Sequence, residues 1–153
     1  MLDQASKWVI LTQFMDPPWA IEVTGFFNLV LVYNTGVSFG LFGGAAAAWK
    51  AWALIGLAVA VSAGLLYWLA REPERLLSLA VGLIVGGALG NALDRAHQPG
   101  VVDFLDFHLA GWHWPAFNLA DSTIFLGVAV LIFDGLFRGR VRSKNTDDRK
   151  KLG

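Results

Sequence analysis

Residues 76–95 read LLSLAVGLIVGGALGNALDR, and this stretch decides the fold. From Leu76 to Leu93 it carries no charge, and it stops at Asp94-Arg95. A membrane-spanning helix needs about 20 mostly apolar residues, and the run has that length. Working outward, the run from Ala45 to Ala70 carries only Lys50 and ends at Arg71-Glu72-Pro73-Glu74-Arg75. The run from Phe117 to Phe137 holds Asp121 near its start and Asp134 near its end. Composition agrees with three spans: 56% of the 153 residues are hydrophobic and 16% are charged. Soluble domains are about 45–50% apolar and about 25% charged, and a soluble chain this small cannot bury so much apolar surface. Disorder, a coiled coil and a nucleic-acid binder are excluded.

The formal net charge of zero hides a direction. Seven basic residues (Arg138, Arg140, Arg142, Lys144, Arg149, Lys150 and Lys151) face Asp147 and Asp148 in the tail, whereas residues 1–137 hold ten acidic residues and five basic ones. Basic segments favour the cytoplasmic side. The tail is therefore expected inside, as is the 71–75 loop two spans earlier, and residues 95–116 outside. Trp19, Trp49, Trp52, Trp112 and Trp114 then fall near the outer boundary and Trp68 near the inner one, as aromatic belts require. No cysteine is present, so disulfides, thiol nucleophiles and thiolate metal sites are excluded.

Two regions fit no span. The apolar run Trp8–Met15, preceded by Asp3, Gln4 and Lys7, is too short to cross. It reads as the outer part of a helix or as an interfacial helix, and it lacks the basic n-region of a cleavable signal peptide. Pro17-Pro18 breaks any helix, Phe26–Tyr33 is rich in aromatic and β-branched residues, and Asn34-Thr35-Gly36 supplies a turn. A short β hairpin or cradle on the outer face, partly embedded at the interface, is expected over about 20–44.

The resulting expectation is an all-α membrane protein, a four-transmembrane-helix bundle with a small periplasmic β-cradle, forming one membrane-embedded domain over 1–153. Its parts are a first-helix remnant at about 1–15, spans at about 45–70, 76–93 and 117–137, an outer loop at 95–116 and a cytoplasmic tail at 138–153.

Polar residues converge at one end of this arrangement. Asn91 and Asp94 close the second long span, Asp103 and Asp106 follow in the outer loop, Asn118 and Asp121 open the last span, and Asn34 lies in the hairpin. Ionisable residues at such depth face a bundle interior or an aqueous cavity. Ordinary structural roles compete for several of them. Asn118 fits a helix N-cap, with Asp121 favoured by the helix dipole. Asp94-Arg95 can mark a helix end, Asp134 can pair with Arg138, and Gly82, Gly86 and Gly90 form overlapping GxxxG patterns suited to helix packing. Asp103 has no such role, because it interrupts the apolar run Val101-Val102-Asp103-Phe104-Leu105.

Two facing aspartates point to acid–base hydrolysis. Close carboxylates share one proton, so the ionised member can deprotonate water while the protonated one polarises a carbonyl and protonates the leaving amine. Low dielectric at the membrane boundary strengthens this assistance. Gly36-Val37-Ser38-Phe39-Gly40 matches GxSxG, but that elbow needs an α/β-hydrolase sheet that this chain cannot supply. His97, His108 and His113, with Asp103 and Asp106, lack the spacing of a metal site, so neither metal nor cofactor is expected. The competing reading is a non-enzymatic transporter subunit or scaffold whose carboxylates line an ion path. The clustering of the acids at one end, with none midway along a span, speaks against it. Gly25, Gly36, Gly40, Gly43 and Gly44 would permit motion of the outer loops.

Taken in order, these residues resemble bacterial lipoprotein signal peptidase, or signal peptidase II. Asp3-Gln4-Ala5-Ser6-Lys7 is similar to that family's DQxSK element, Asn34-Thr35-Gly36-Val37-Ser38-Phe39 to NxGxxF, and Gly90-Asn91-Ala92-Leu93-Asp94-Arg95 to GNxxDR. Val101-Val102-Asp103-Phe104 and Phe117-Asn118-Leu119-Ala120-Asp121-Ser122-Thr123-Ile124 are similar to VVDF and FNxADxxI. The resemblance implies an inner-membrane aspartyl endopeptidase with Asp103 and Asp121 as its catalytic pair. It implies supporting or substrate-binding roles for Asn34, Gly36, Asn91, Asp94, Arg95 and Asn118. The implied substrates are prolipoproteins carrying diacylglycerol on the lipobox cysteine, cleaved just before it. Membrane lipids and globomycin-type inhibitors are further implied partners, and a monomer is expected. Family members carry a longer apolar run before the DQ element. With only Met1 and Leu2 preceding it here, an incomplete first helix and reduced bundle stability are expected.

Overall fold

Backbone in hydrocarbon must satisfy its polar groups internally, which favours helices, and each of the three apolar runs is helical. The computed structural model describes residues 1–14, 20–36, 46–71 and 73–151, with side chains at 46–48 and 137–151 outside the description. In chain order it forms α1 (Leu2–Val9), a π-helical turn (Ile10–Phe14), β1 (Ala20–Thr24), β2 (Phe27–Asn34), α2 (Ala46–Arg71), α3 (Arg75–His97), β3 (Val101–Leu109), β4 (Trp112–His113) and α4 (Leu119–Lys151). Among the described residues, three helical segments are long and apolar enough to cross a membrane: Trp49–Arg71, Arg75–His97 and Leu119–Leu136.

α3 is the axis of the molecule. Within the protein, 44% of its apolar window is buried, against 6% for α2 and 11% for α4. Ala80, Val81, Ile84 and Ala92 form its buried seam. Helices associate closely where small residues let backbones approach. A Cβ on Gly87 would stand 2.6 Å from Thr123 Oγ1, and one on Gly127 would stand 2.6 Å from the Ala80 carbonyl oxygen. The GxxxG expectation holds for Gly90 alone, where a Cβ would stand 3.0 Å from Asp3 Oδ2 and 3.6 Å from Ala120 Cβ, whereas Gly82 and Gly86 face open space. Gly87 and Gly127 make the tightest approaches of the α3–α4 contact.

Two boundaries also move. Asp94-Arg95 mark the last turn of the second span's helix, as a helix-end reading requires, and α3 runs on to His97 before Gln98 and Pro99 stop it. Asp94 stays inside the helix because Lys7 pairs with its charge there. Phe117 is not helical: its N–H donates to the Leu105 carbonyl at 3.1 Å, and its carbonyl accepts from Leu105 N–H at 2.9 Å. The last helix starts at Leu119 and runs past residue 137 to Lys151.

Half of the expected outer loop is strand, so the small β region set beside the predominantly helical bundle is larger than the expected hairpin over 20–44. β1, β2, β3 and β4 form one antiparallel sheet in that order. The β1–β2 hairpin turns at Gly25-Phe26, and Asn34 instead ends β2. Between Leu29↔Leu105 and Val32↔Asp103 the register slips by one residue, a β-bulge on β2. Ile10 and Phe104, with Leu29, Leu31 and Leu105 against them, make the small core that seats the sheet on the first helix. Pro17-Pro18, Trp19, Ser38, the glycines at 40, 43 and 44, and the Arg138 side chain expected beside Asp134 lie outside the described residues.

Candidate active site

The site begins with a helix terminus. The first N–H groups of an α-helix lack partners within the helix. Asn118 Oδ1 accepts from Asp121 N–H at 2.9 Å, and Asp121 Oδ2 accepts from Asn118 N–H at 3.2 Å. This is a reciprocal capping box, with Asn and Asp in the usual Ser/Thr and Glu places. The capping role expected for Asn118 is real, and it does not compete with a role in the site. Capping uses the Asn118 oxygen and leaves its amide N–H groups free to donate to Asp103 Oδ1 at 2.7 Å and Asn91 Oδ1 at 3.2 Å.

β3 delivers Asp103 to this cap. Its side chain is 1% exposed and Asn118 is 0% exposed. Solvation at the interface is thereby excluded for Asp103, and its carboxylate is held wholly by protein. Across the sheet Asp103 opposes Val32. Asn34, two residues on and so on the same face, donates from Nδ2 to Asp103 Oδ2 at 3.0 Å. Gly36 N–H occupies Asn34 Oδ1 at 2.8 Å, which turns the amide nitrogen toward the aspartate. Gly36 has φ +75°, a left-handed conformation suited to glycine, and a Cβ there would stand 2.8 Å from Leu54 Cδ1.

From α3, Asn91 Nδ2 donates to Asp121 Oδ1 at 2.7 Å. Asn34, Gly36, Asn91, Asn118, Asp103 and Asp121 thus come together. Asp94 stands one step back. Its oxygens accept from Lys7 Nζ at 2.7 Å, Gln4 Nε2 at 2.7 Å and Val102 N–H at 3.1 Å, so it ties α1 and β3 to α3. Arg95 Nη1 donates to the Asn91 carbonyl at 3.2 Å. Its Nε is a buried donor with no partner among the described residues, and Nη2 lies 3.8 Å from the Cβ position of Gly36.

Sequence reasoning gave no role to Asp3, Gln4 or Lys7 outside the family resemblance. Lys7 is 3% exposed and bridges Asp3 at 2.9 Å and Asp94 at 2.7 Å. Asp3 Oδ1 accepts from Ala120 N–H at 2.8 Å, fixing α1 to the start of α4. The available signal was an Asp–Lys pair at i, i+4 entering an apolar helix, where ionisable residues are costly unless partnered. Gly100 was also missed, although a Cβ there would stand 2.9 Å from the Asn34 backbone carbonyl carbon.

Asp106 departs from the expected cluster. Three residues along a strand it points to the opposite face from Asp103. There it accepts from Asn28 Nδ2 at 2.9 Å and pairs with His113 Nδ1 at 2.9 Å, while His113 stacks on His108 with ring centroids 4.8 Å apart. Burial alone would raise the Asp106 carboxyl, but hydrogen bonds from His113 and Asn28 outweigh it and hold the group below its ordinary value. Asp103 behaves oppositely. Burial is the main cause that pushes its carboxyl up to about 6, and the Asp121 charge adds to this, against the amides of Asn34 and Asn118 and the charge of Lys7. No group of histidine and acidic side chains among the described residues is arranged to hold a metal ion.

Paired carboxylates, one buried and one half-buried, dressed by three amides at the mouth of a membrane helix bundle, place this chain among membrane-embedded hydrolases of the aspartyl type. The family model described as signal peptidase (SPase) II matches residues 1–137, and the chain belongs to that family. It is an aspartic peptidase and a multi-pass membrane protein. The lipoprotein signal peptidases of Burkholderia vietnamiensis and Burkholderia multivorans are each 50% identical over 141 residues, covering 92% of this chain and 84% of theirs. That of Burkholderia thailandensis is 46% identical over the same coverage. A solved structure of a bacterial membrane enzyme, 30% identical, superposes with a TM-score of 0.74 over 88% of this chain and 80% of its own.

Proposed function

We propose that this chain removes signal peptides from diacylglyceryl-modified prolipoproteins, cutting before the lipidated lipobox cysteine with Asp103 and Asp121 as the acid–base pair. The observation that carries the assignment is Asn118, whose side-chain NH2 donates to Asp103 Oδ1 and whose backbone N–H donates to Asp121 Oδ2. It couples the two carboxyls through a group that cannot itself take up a proton near neutral pH. The pair holds one proton. The ionised member removes a proton from water as the water oxygen bonds to the scissile carbonyl carbon. The protonated member hydrogen-bonds the developing oxyanion. When the C–N bond breaks, a proton passes to the departing amine of the lipidated cysteine and the other product is the signal-peptide carboxylate. Burial of Asp103 favours it as the holder of the proton, and half-buried Asp121 faces the incoming water. The Arg95 guanidinium, whose Nη2 lies 3.8 Å from the Gly36 Cβ position and whose Nε has no partner among the described residues, supports binding of a substrate carbonyl.

The single domain over 1–153 works as a monomer built on a bundle of four transmembrane helices. Its site lies near the periplasmic face of the inner membrane, its tail is cytoplasmic, and globomycin-type peptides occupy the substrate position. Membership of a peptidase family leaves the ion-path alternative without support. The decisive experiment is cleavage of a diacylglyceryl lipobox peptide by purified protein, beside the same peptide without lipid. Cleavage of the lipidated form, lost in Asp103→Asn and in Asp121→Asn proteins that still fold, is expected. Substantial activity in either variant would overturn the pair.

A further inference from the structure

Lys7 hydrogen-bonds neither Asp103 nor Asp121, yet the pair of amides that serves them, Asn91 and Asn118, leads back to it. Its ammonium donates to Asp3 Oδ2 at 2.9 Å, Asp94 Oδ2 at 2.7 Å and Asn91 Oδ1 at 3.1 Å. A lysine offers donors and no acceptor, so the Asn91 atom facing it must be the amide oxygen. Asn118 Nδ2 supplies a second donor to that same oxygen at 3.2 Å. With its oxygen held twice, Asn91 turns its NH2 group to Asp121 Oδ1 at 2.7 Å. The Asn118 amide runs in the same sense, with its oxygen on the Asp121 N–H and its nitrogen on Asp103 Oδ1. Reversing Asn91 would set an NH2 group against an ammonium and a carbonyl oxygen against a carboxylate.

We propose that Lys7 is a positioning residue for the hydrolytic reaction: its ammonium fixes the donor–acceptor direction of the Asn91–Asn118 amide pair, so that each aspartate receives one side-chain N–H from it. This rests on the reading of Asp103 and Asp121 as the reacting pair. A neutral hydroxyl or amide at residue 7 could either donate or accept and would impose no direction. A buried cation is costly unless paired, and here α1 supplies Asp3 and α3 supplies Asp94. The charged and titratable groups around this centre are Asp3 and Lys7 from α1, Asp94, Arg95 and His97 from α3, Asp103 from β3 and Asp121 from α4, with His97 lining one cavity with Lys7 and Asp94. The positive charge of Lys7 opposes the rise of the Asp103 carboxyl. Its removal moves the activity limb governed by Asp103 to higher pH.

The test is steady-state cleavage of the lipidated lipobox peptide by wild type, Lys7→Met, Lys7→Arg and a charge-balanced Asp3→Asn/Lys7→Met/Asp94→Asn protein, with Asp103→Asn as the inactive floor. The balanced variant retains acceptors for Ala120 and Val102 N–H without stranding two buried carboxylates, so it folds even where Lys7→Met does not. Loss of an orienting group one step behind a reactive one costs on the order of 10–100-fold. That loss is expected in kcat with KM nearly unchanged, joined in Lys7→Met by a pH profile displaced upward, and Lys7→Arg, still a cation with donors only, should recover part of it. Wild-type kcat in Lys7→Met or the balanced variant, or a wild-type pH profile in Lys7→Met, would overturn the proposal. So would a loss confined to KM, or one that vanishes when rates are scaled to the folded fraction. If wild type itself leaves the peptide intact, the peptidase assignment falls and the role of Lys7 falls with it.

Discussion

At the scale of single residues, the chemistry depends on how a carboxyl group is buried. Asp103 is enclosed by Asn34, Asn118 and apolar neighbours, and its carboxyl is raised from 3.8 to about 6. A raised folded-state value means the folded protein binds this proton more tightly than the unfolded chain does. The associated stability is complete below 3.8 and is lost as pH rises through about 6. The size of that loss is on the order of 2 kcal/mol, since a tenfold difference in proton affinity is worth about 1.4 kcal/mol and residual solvent screening trims the sum. Thermal melts in detergent between pH 4 and 8 should show wild type losing this increment as pH rises and Asp103→Asn showing a flatter profile; parallel profiles would contradict it. Asp103 was legible in the sequence because no ordinary role explains an acid inside Val101-Val102-Asp103-Phe104-Leu105. The Lys7 to Asn91 contact was not, since its partners stand 84 residues apart and nothing local marks either as the other's neighbour.

Among elements, β3 and the α3–α4 contact decide the geometry. Alternation along β3 sends Asp103 into the site and Asp106 to the His113 side, though both occur in the same short acidic segment. Asp106→Asn should therefore retain cleavage within a few-fold of wild type while loosening the β3–β4 hairpin, and peptide cleavage beside hydrogen exchange at residues 105–114 would check both parts. Inactivity of that variant in a folded protein would place Asp106 in the chemistry after all. The strand itself was hard to read because aspartate is depleted in strands and both faces of its first half are buried, which erases the two-residue period. The helix contact offers a sharper comparison. Gly87→Val should cost about 1–3 kcal/mol by overpacking against Thr123 and Ile124, whereas Gly82→Val meets open space and should be nearly neutral. Equal melting temperatures for the two variants would contradict the assignment of Gly87 to the contact.

For the whole molecule, the proposed orientation predicts which ends see which compartment. The chain has no cysteine, so single thiols can be introduced without background. Thr35→Cys should react with a membrane-impermeant thiol reagent in spheroplasts, and Ser143→Cys only after permeabilisation; the reverse pattern would invert the topology. The sequence by itself determined the membrane class, the three long helices, the direction of charge and the two aspartates proposed for chemistry. These follow from local properties: apolar length, charge counts and the cost of an unexplained acid. Only the tertiary structure decided that residues 101–109 form a strand, that Asp94 ties α1 and β3 to the last turn of α3, and that Gly87 approaches α4 more closely than any GxxxG glycine. It alone joined Asp3, Gln4 and Lys7 to the site. The physical reason is that hydrogen-bond direction and close backbone approach are pairwise properties of groups distant in the chain, and each is fixed only when both partners are in place.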